Sequence, residues 1–92
     1  MASEPVTDYI ITDHATTELK QRRLSMEVID GVLRNPEQRL EVRPGRVVLQ
    51  SRIQESGSEN LVRVFVDIER APAEVVTAYR TSKVSKYWRD DV

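Results

Sequence analysis

The sequence predicts an α+β domain in which two N-terminal helices pack on a three- to four-stranded antiparallel sheet, with a short helical turn near the C-terminus. Three observations carry this. Apolar residues recur at helical spacing only before Asn35, and from Gln38 onward they alternate with a period of two. The chain has 92 residues, which is enough for one hydrophobic core and too few for two. Residues 1–8 read as a flexible arm, because polar and small groups surround Pro5 without either period, and residues 9–92 read as the single domain.

Tyr9-Ile10-Ile11 reads as a short edge strand. Thr12 or Asp13 then caps a helix, since either side-chain oxygen can accept from the unpaired amides of the first turn, and its apolar stripe is Ala15 and Leu19. Ser25 caps a second helix whose Met26, Ile29, Val32 and Leu33 fall at helical spacing. Asn35-Pro36 ends it, because the residue before proline is pushed out of helical geometry. Leu40 and Val42 alternate with charges, and Arg43-Pro44-Gly45-Arg46 places proline and glycine at the centre of a type II turn. Val47, Leu49, Ser51 and Ile53 continue the alternation and complete a hairpin. After the polar loop 55–60, Val62, Val64, Val66 and Ile68 take one face of a strand and Phe65 the other, the pattern of a central strand. A turn at Arg70–Ala73 leads to the last strand, which runs to Arg80, and Thr81–Trp88 has weak helical propensity. One sheet face is left for solvent, a partner or a ligand.

Composition removes several function classes. The chain is 39% hydrophobic and 32% charged, outside the regime of disordered chains. Its net charge of −1, from 14 basic and 15 acidic residues, excludes a bulk polycation, so any nucleic-acid affinity must come from a local patch. With Cys 0 there is no disulfide or thiolate chemistry. The acids lack metal-ligand spacing and no glycine-rich phosphate loop occurs, so neither metal nor cofactor is expected. No apolar run approaches the ~18 residues of a membrane span, and the first residues do not read as a signal peptide. The expected location is cytoplasmic.

Two features carry chemistry. His14, the single histidine, lies in the first helical turn; an imidazole exchanges protons near neutral pH, although a surface histidine there is the ordinary outcome. At the other end, Arg80, Lys83, Lys86 and Arg89 recur every third residue with Tyr79, Tyr87 and Trp88 among them, and no acid falls between Glu74 and Asp90. Cations neutralise phosphates and aromatic rings stack on bases, so this is the composition of a single-stranded RNA surface. Its ordinary alternative is a solvated face with aromatics that pin the tail. Arg22 and Arg23 close a second basic cluster, and Thr77 shares a strand face with Tyr79.

Ile11-Thr12-Asp13-His14-Ala15, Gln21-Arg22-Arg23-Leu24-Ser25, Leu61–Val66 and Val75–Trp88 together resemble the small bacterial domain-of-unknown-function proteins related to the RelE/ParE-like toxins. The resemblance runs from about Tyr9 to Trp88. It implies a metal-independent ribonuclease toxin of a toxin–antitoxin system, binding single-stranded or messenger RNA, in which the RNA's own 2′-hydroxyl attacks the adjacent phosphate. On this reading His14, Tyr79, Arg80 and Lys83 are catalytic, and Arg22, Arg23, Thr77, Lys86, Tyr87, Trp88 and Arg89 bind RNA, free or on the ribosome. The alternative it implies is a non-catalytic module binding an antitoxin or a gyrase-type protein. One departure stands out: Arg23 occupies the position where such proteins have glycine before the second helix, which sets a side chain where left-handed backbone is expected.

Overall fold

Alternation from Gln38 onward produces four strands, and Tyr9–Ile11 adds a fifth to the same sheet. The computed structural model describes residues 3–91. In chain order the elements are β1 (Tyr9–Ile11), α1 (Asp13–Gln21), α2 (Met26–Arg34), β2 (Gln38–Arg43), β3 (Arg46–Glu55), β4 (Ser58–Asp67), β5 (Ala73–Thr81) and α3 (Val84–Tyr87). The five strands form one sheet in the order β1-β5-β4-β3-β2.

The expected fold class is therefore corrected. The sheet is mixed, not antiparallel, because β1 runs parallel to β5 with Tyr9 opposite Ala73 and Ile11 opposite Val75. The sheet also dominates the architecture, with three short helices around it rather than two helices setting one layer. The physical reason is connectivity: a parallel pair needs a long crossover, and everything from α1 to β4 supplies it. A three-residue strand has too short an alternation to reveal its partner.

Helices α1 and α2 cover one face. Leu19 from α1, Leu24 between the helices, and Ile29, Val32 and Leu33 from α2 pack in one cluster with Val47, Leu49, Val62, Val64, Val66, Val75 and Ala78 of the sheet. Ser25 starts α2 as expected, its hydroxyl accepting from the Val28 amide at 3.2 Å, and Thr12 caps α1 by accepting from the Ala15 amide at 3.1 Å. Met26 departs from the expected stripe. It is 46% exposed, and the buried stripe of α2 is Ile29, Val32 and Leu33 alone. From the arm, the Val6 amide bonds the Leu33 carbonyl and the Val6 side chain is buried in the core.

Two local devices position the functional residues. Between Phe65 and Val66 the β4–β5 register shifts: Phe65 lies opposite Thr77 and Val66 opposite Val75, leaving Val76 as the extra residue of a bulge. A bulge re-aims neighbouring side chains, and the Thr77 hydroxyl reaches across to Glu18 of α1. At the end of α1, the Leu24 amide bonds the Leu19 carbonyl and the Arg23 amide bonds the Lys20 carbonyl, the two bonds of a Schellman ending. Arg23 holds its left-handed position with φ +56°.

A left-handed non-glycine residue costs roughly 1–2 kcal/mol, which glycine avoids at some expense in chain entropy. Arg23→Gly should therefore raise stability by up to about 1 kcal/mol. Urea unfolding followed by circular dichroism measures this, and an equal or lower midpoint with unchanged slope contradicts it.

Candidate nucleic-acid interface

The sheet face turned away from α1 and α2 carries Val48 and Gln50 of β3, Leu61, Arg63 and Phe65 of β4, and Tyr79 of β5, following strand alternation. Two of its polar groups are buried: Gln38 is 4% exposed and Gln50 is 0% exposed. Buried amides need partners. The Gln50 amide nitrogen donates to Gln38 Oε1 at 2.7 Å and to the Tyr87 carbonyl at 3.1 Å. Gln38 donates to the Arg89 carbonyl and accepts from the Arg89 amide at 3.1 Å. These bonds lay the C-terminal segment, including α3, across the sheet.

The remaining oxygen of Gln50 accepts from Arg63 Nε at 2.8 Å, and Arg63 Nη1 donates to the Tyr79 hydroxyl at 2.7 Å. The guanidinium is thus fixed at two points within a ring of aromatics. Its central carbon lies 4.4 Å from the Tyr87 ring centroid, 5.3 Å from Phe65 and 5.8 Å from Tyr79. Phe65 and Tyr79 stack with centroids 6.0 Å apart, while Tyr79 and Tyr87 meet edge to face at 6.2 Å. The Lys86 ammonium lies 5.3 Å from the Tyr87 ring centroid. The Tyr87 hydroxyl is drawn below the ordinary tyrosine range, first by hydrogen bonding with the Tyr79 hydroxyl and then by the positive charge of Lys86, with Arg63 contributing less. A partly exposed arginine and an exposed lysine around the Tyr87 ring offer positive charge to a phosphate, and a phenol with lowered pKa offers, as its phenolate, a proton acceptor.

The other expected site residues fall into separate groups. His14 is 80% exposed at its side chain and faces Glu18 at 3.6 Å. Glu18 accepts from the Thr77 hydroxyl at 2.7 Å, and Arg22 donates to Thr77 Oγ1 at 2.9 Å and to the Ala78 carbonyl at 2.8 Å. The Thr77 bond holds the Glu18 carboxyl below its usual range, with Arg22 and His14 adding to it against partial burial. Arg22 therefore satisfies a β5 carbonyl beyond the reach of β1. Among the described residues, no hydrogen bond or ion pair joins His14 to Tyr79.

Arg80 reaches the helix side of the sheet, donating to Glu55 at 2.9 Å and to the Arg23 carbonyl at 2.6 Å, so it fastens the inter-helix turn. Arg89 pairs with Asp91 at 3.0 Å. Trp88 carries the Arg52 guanidinium 4.1 Å from its ring centroid, and Arg52 in turn pairs with Glu37 at 3.0 Å. Lys83 and Lys86 are exposed and have no acidic partner among the described residues. The sequence reading missed Arg63, Phe65 and Gln50. Their signal was present: Arg63 is the one charged residue inside the apolar run Leu61–Val66, on the same alternation as Phe65.

A family model described as a domain of unknown function, DUF4258, matches residues 11–80, well over half of the chain. The chain belongs to the DUF4258 family. No curated protein and no solved structure matches it. The matched part of this DUF4258 domain contains His14, Glu18, Arg22, Arg63, Phe65, Thr77 and Tyr79, while Lys83, Lys86, Tyr87, Trp88 and Arg89 follow it. No helix among the described residues is long and apolar enough to cross a membrane.

Because Tyr79 and Lys86 lower the Tyr87 pKa, the first tyrosine to ionise on raising the pH should be Tyr87, below the ordinary value of about 10. Removing the positive charge in Lys86→Gln should move that first step upward. Ultraviolet difference titration of wild type, Lys86→Gln and Tyr87→Phe checks this; an unchanged first step in both variants contradicts it.

Proposed function

We propose that this DUF4258 domain is a metal-independent ribonuclease acting on single-stranded RNA, of the RelE-like toxin kind to which its sequence motifs bear a resemblance. The observation that carries the reading is Arg63, held by Gln50 and the Tyr79 hydroxyl against the Tyr87 ring, which the Lys86 ammonium also approaches. Cleavage through the 2′-hydroxyl needs a proton acceptor, a proton donor and positive charge at the phosphate. Tyr87, as the phenolate that its lowered pKa favours, takes the 2′-hydroxyl proton as the O2′–P bond forms. Arg63 stabilises the charge that gathers on the phosphorane. The P–O5′ bond then breaks, and Lys86 protonates the departing 5′-oxygen, leaving a 2′,3′-cyclic phosphate and a 5′-hydroxyl. Phe65 and Tyr79 offer ring surface to the bases.

This reading reassigns roles expected from the sequence. His14, paired with Glu18 and without a bond to the aromatic cluster, has no step, and Arg80 is occupied by Glu55 and the Arg23 carbonyl. A second reading, a module binding an antitoxin or similar protein, draws support from the exposed apolar side chains of Val42 and Ile68, 49% and 38% exposed.

Two measurements test the proposal. With Arg63, Lys83 and Lys86 meeting phosphates, the log of RNA affinity should fall with the log of salt at a slope of about −2, from roughly 0.7 per phosphate. A salt-independent affinity favours the protein-binding module. In chelator, Arg63→Ala and Tyr87→Phe should each lose about a hundredfold or more of cleavage, while His14→Ala stays near wild type. Wild-type protein that cuts no RNA, alone or with ribosomes, overturns the enzyme reading.

A further inference from the structure

A second concavity lies beside the Arg63 cluster on the same sheet face. It encloses about 270 Å³ and is lined by Arg52, Glu59, Val84, Ser85, Trp88 and Asp90. Arg52 is opposite Leu61 in the register and Gln50 is opposite Arg63, so the two sites are one two-residue step apart along the strands, roughly 6.5–7 Å. Their chemistry differs sharply. The Arg63 site is cationic and suits a phosphate. The second pocket carries two exposed carboxylates, Glu59 and Asp90, in no ion pair among the described residues; Glu59 accepts one long hydrogen bond, from Gln54 Nε2 at 3.5 Å, and its charge reinforces that of Glu37 on Arg52. A phosphate is repelled there.

The Trp88 ring offers a stacking surface, and Arg52 lies 4.1 Å from its centroid with its own charge already met by Glu37. The cation position on the indole is thus occupied from within the chain. What the pocket still lacks is a flat group that stacks and donates hydrogen bonds. A nucleobase does both, and guanine is distinguished by adjacent N1–H and N2–H donors that one carboxylate can accept together.

We propose that the Trp88 pocket is a guanine-binding subsite, with Trp88 and Arg52 stacking the base and Glu59, assisted by Asp90, accepting from its Watson–Crick edge. This deepens the ribonuclease reading and rests on it for its place on the RNA: a guanine held here sets its neighbouring phosphate toward Arg63. Binding at the pocket itself needs no cleavage, which separates the two ideas experimentally.

The chain has one tryptophan, so its fluorescence reports directly on this site. The 92-residue chain is titrated with guanosine, adenosine, cytidine and uridine 3′-monophosphates. Guanosine 3′-monophosphate should quench Trp88 with an affinity about tenfold or more above the others, the size expected for one paired-donor contact. The Glu59→Gln/Asp90→Asn variant, altered only at exposed positions, should bind all four alike. Equal affinities in wild type, or a guanosine preference that survives in the double variant, overturn the subsite. Quenching by argininamide but by no nucleotide overturns it in favour of a cationic peptide ligand. Guanosine selectivity without RNA cleavage keeps the subsite and discards the ribonuclease; cleavage with no base preference does the reverse.

Discussion

The outer face of this domain depends on two glutamines. Gln38 and Gln50 sit in adjacent strands, bonded to each other and out of water, and their remaining donors and acceptors go to the backbone at Tyr87 and Arg89 and to the Arg63 side chain. An unsatisfied buried amide group costs on the order of 1–3 kcal/mol, so the C-terminal segment and Arg63 are required by the same pair. Tail docking and site assembly are therefore one event. If the segment after Thr81 leaves the sheet, Gln50 loses the Tyr87 carbonyl, Arg63 loses the Tyr87 ring, and Arg52 loses Trp88.

The same logic explains why the cations fall into two kinds. Arg22, Arg80 and Arg89 have partners that hold the fold: a β5 carbonyl, the inter-helix turn and Asp91. Planar guanidinium groups with several fixed donors suit such tying roles. The two lysines of the tail, with mobile point charges, are left to solvent and to whatever anion arrives. Regular spacing in the sequence hid this division, because Arg80, Lys83, Lys86 and Arg89 recur every third residue while the strand end, α3 and the tail turn them in different directions.

Much of the fold was legible. Ser25, Pro36 and Pro44-Gly45 act through local backbone chemistry, and Val62, Val64 and Val66 alternate long enough to declare a buried face. What was not legible depends on distant partners. Tyr9–Ile11 is a strand in both readings, but its parallel partner lies at the far end of the chain. The C-terminal aromatic and basic residues were recognisable as a group, yet their organiser is Arg63, a residue whose role appears only when β4 is set between β3 and β5. His14 looked promising because it is unique in the chain; its surroundings give it one carboxylate and open water.

The pairing of β1 with β5 also bears on how the molecule is made. Ala73 donates to the Asp8 carbonyl and Thr12 to that of Val75, so the strand synthesised first has no partner until the strand synthesised last has formed. Contacts between such distant segments are slow to close. On the ribosome, α1 and α2 would emerge with an apolar face and wait for β3 and β4, and only the arrival of β5 would let Tyr9–Ile11 join the sheet. The exposed nascent intermediate is a half-built sheet whose β4 edge is open, a form that invites chaperones or unwanted strand pairing. A surface that includes Lys86 and Tyr87 cannot exist before that edge is closed, so the growing chain carries no finished site until α3 has followed β5 out.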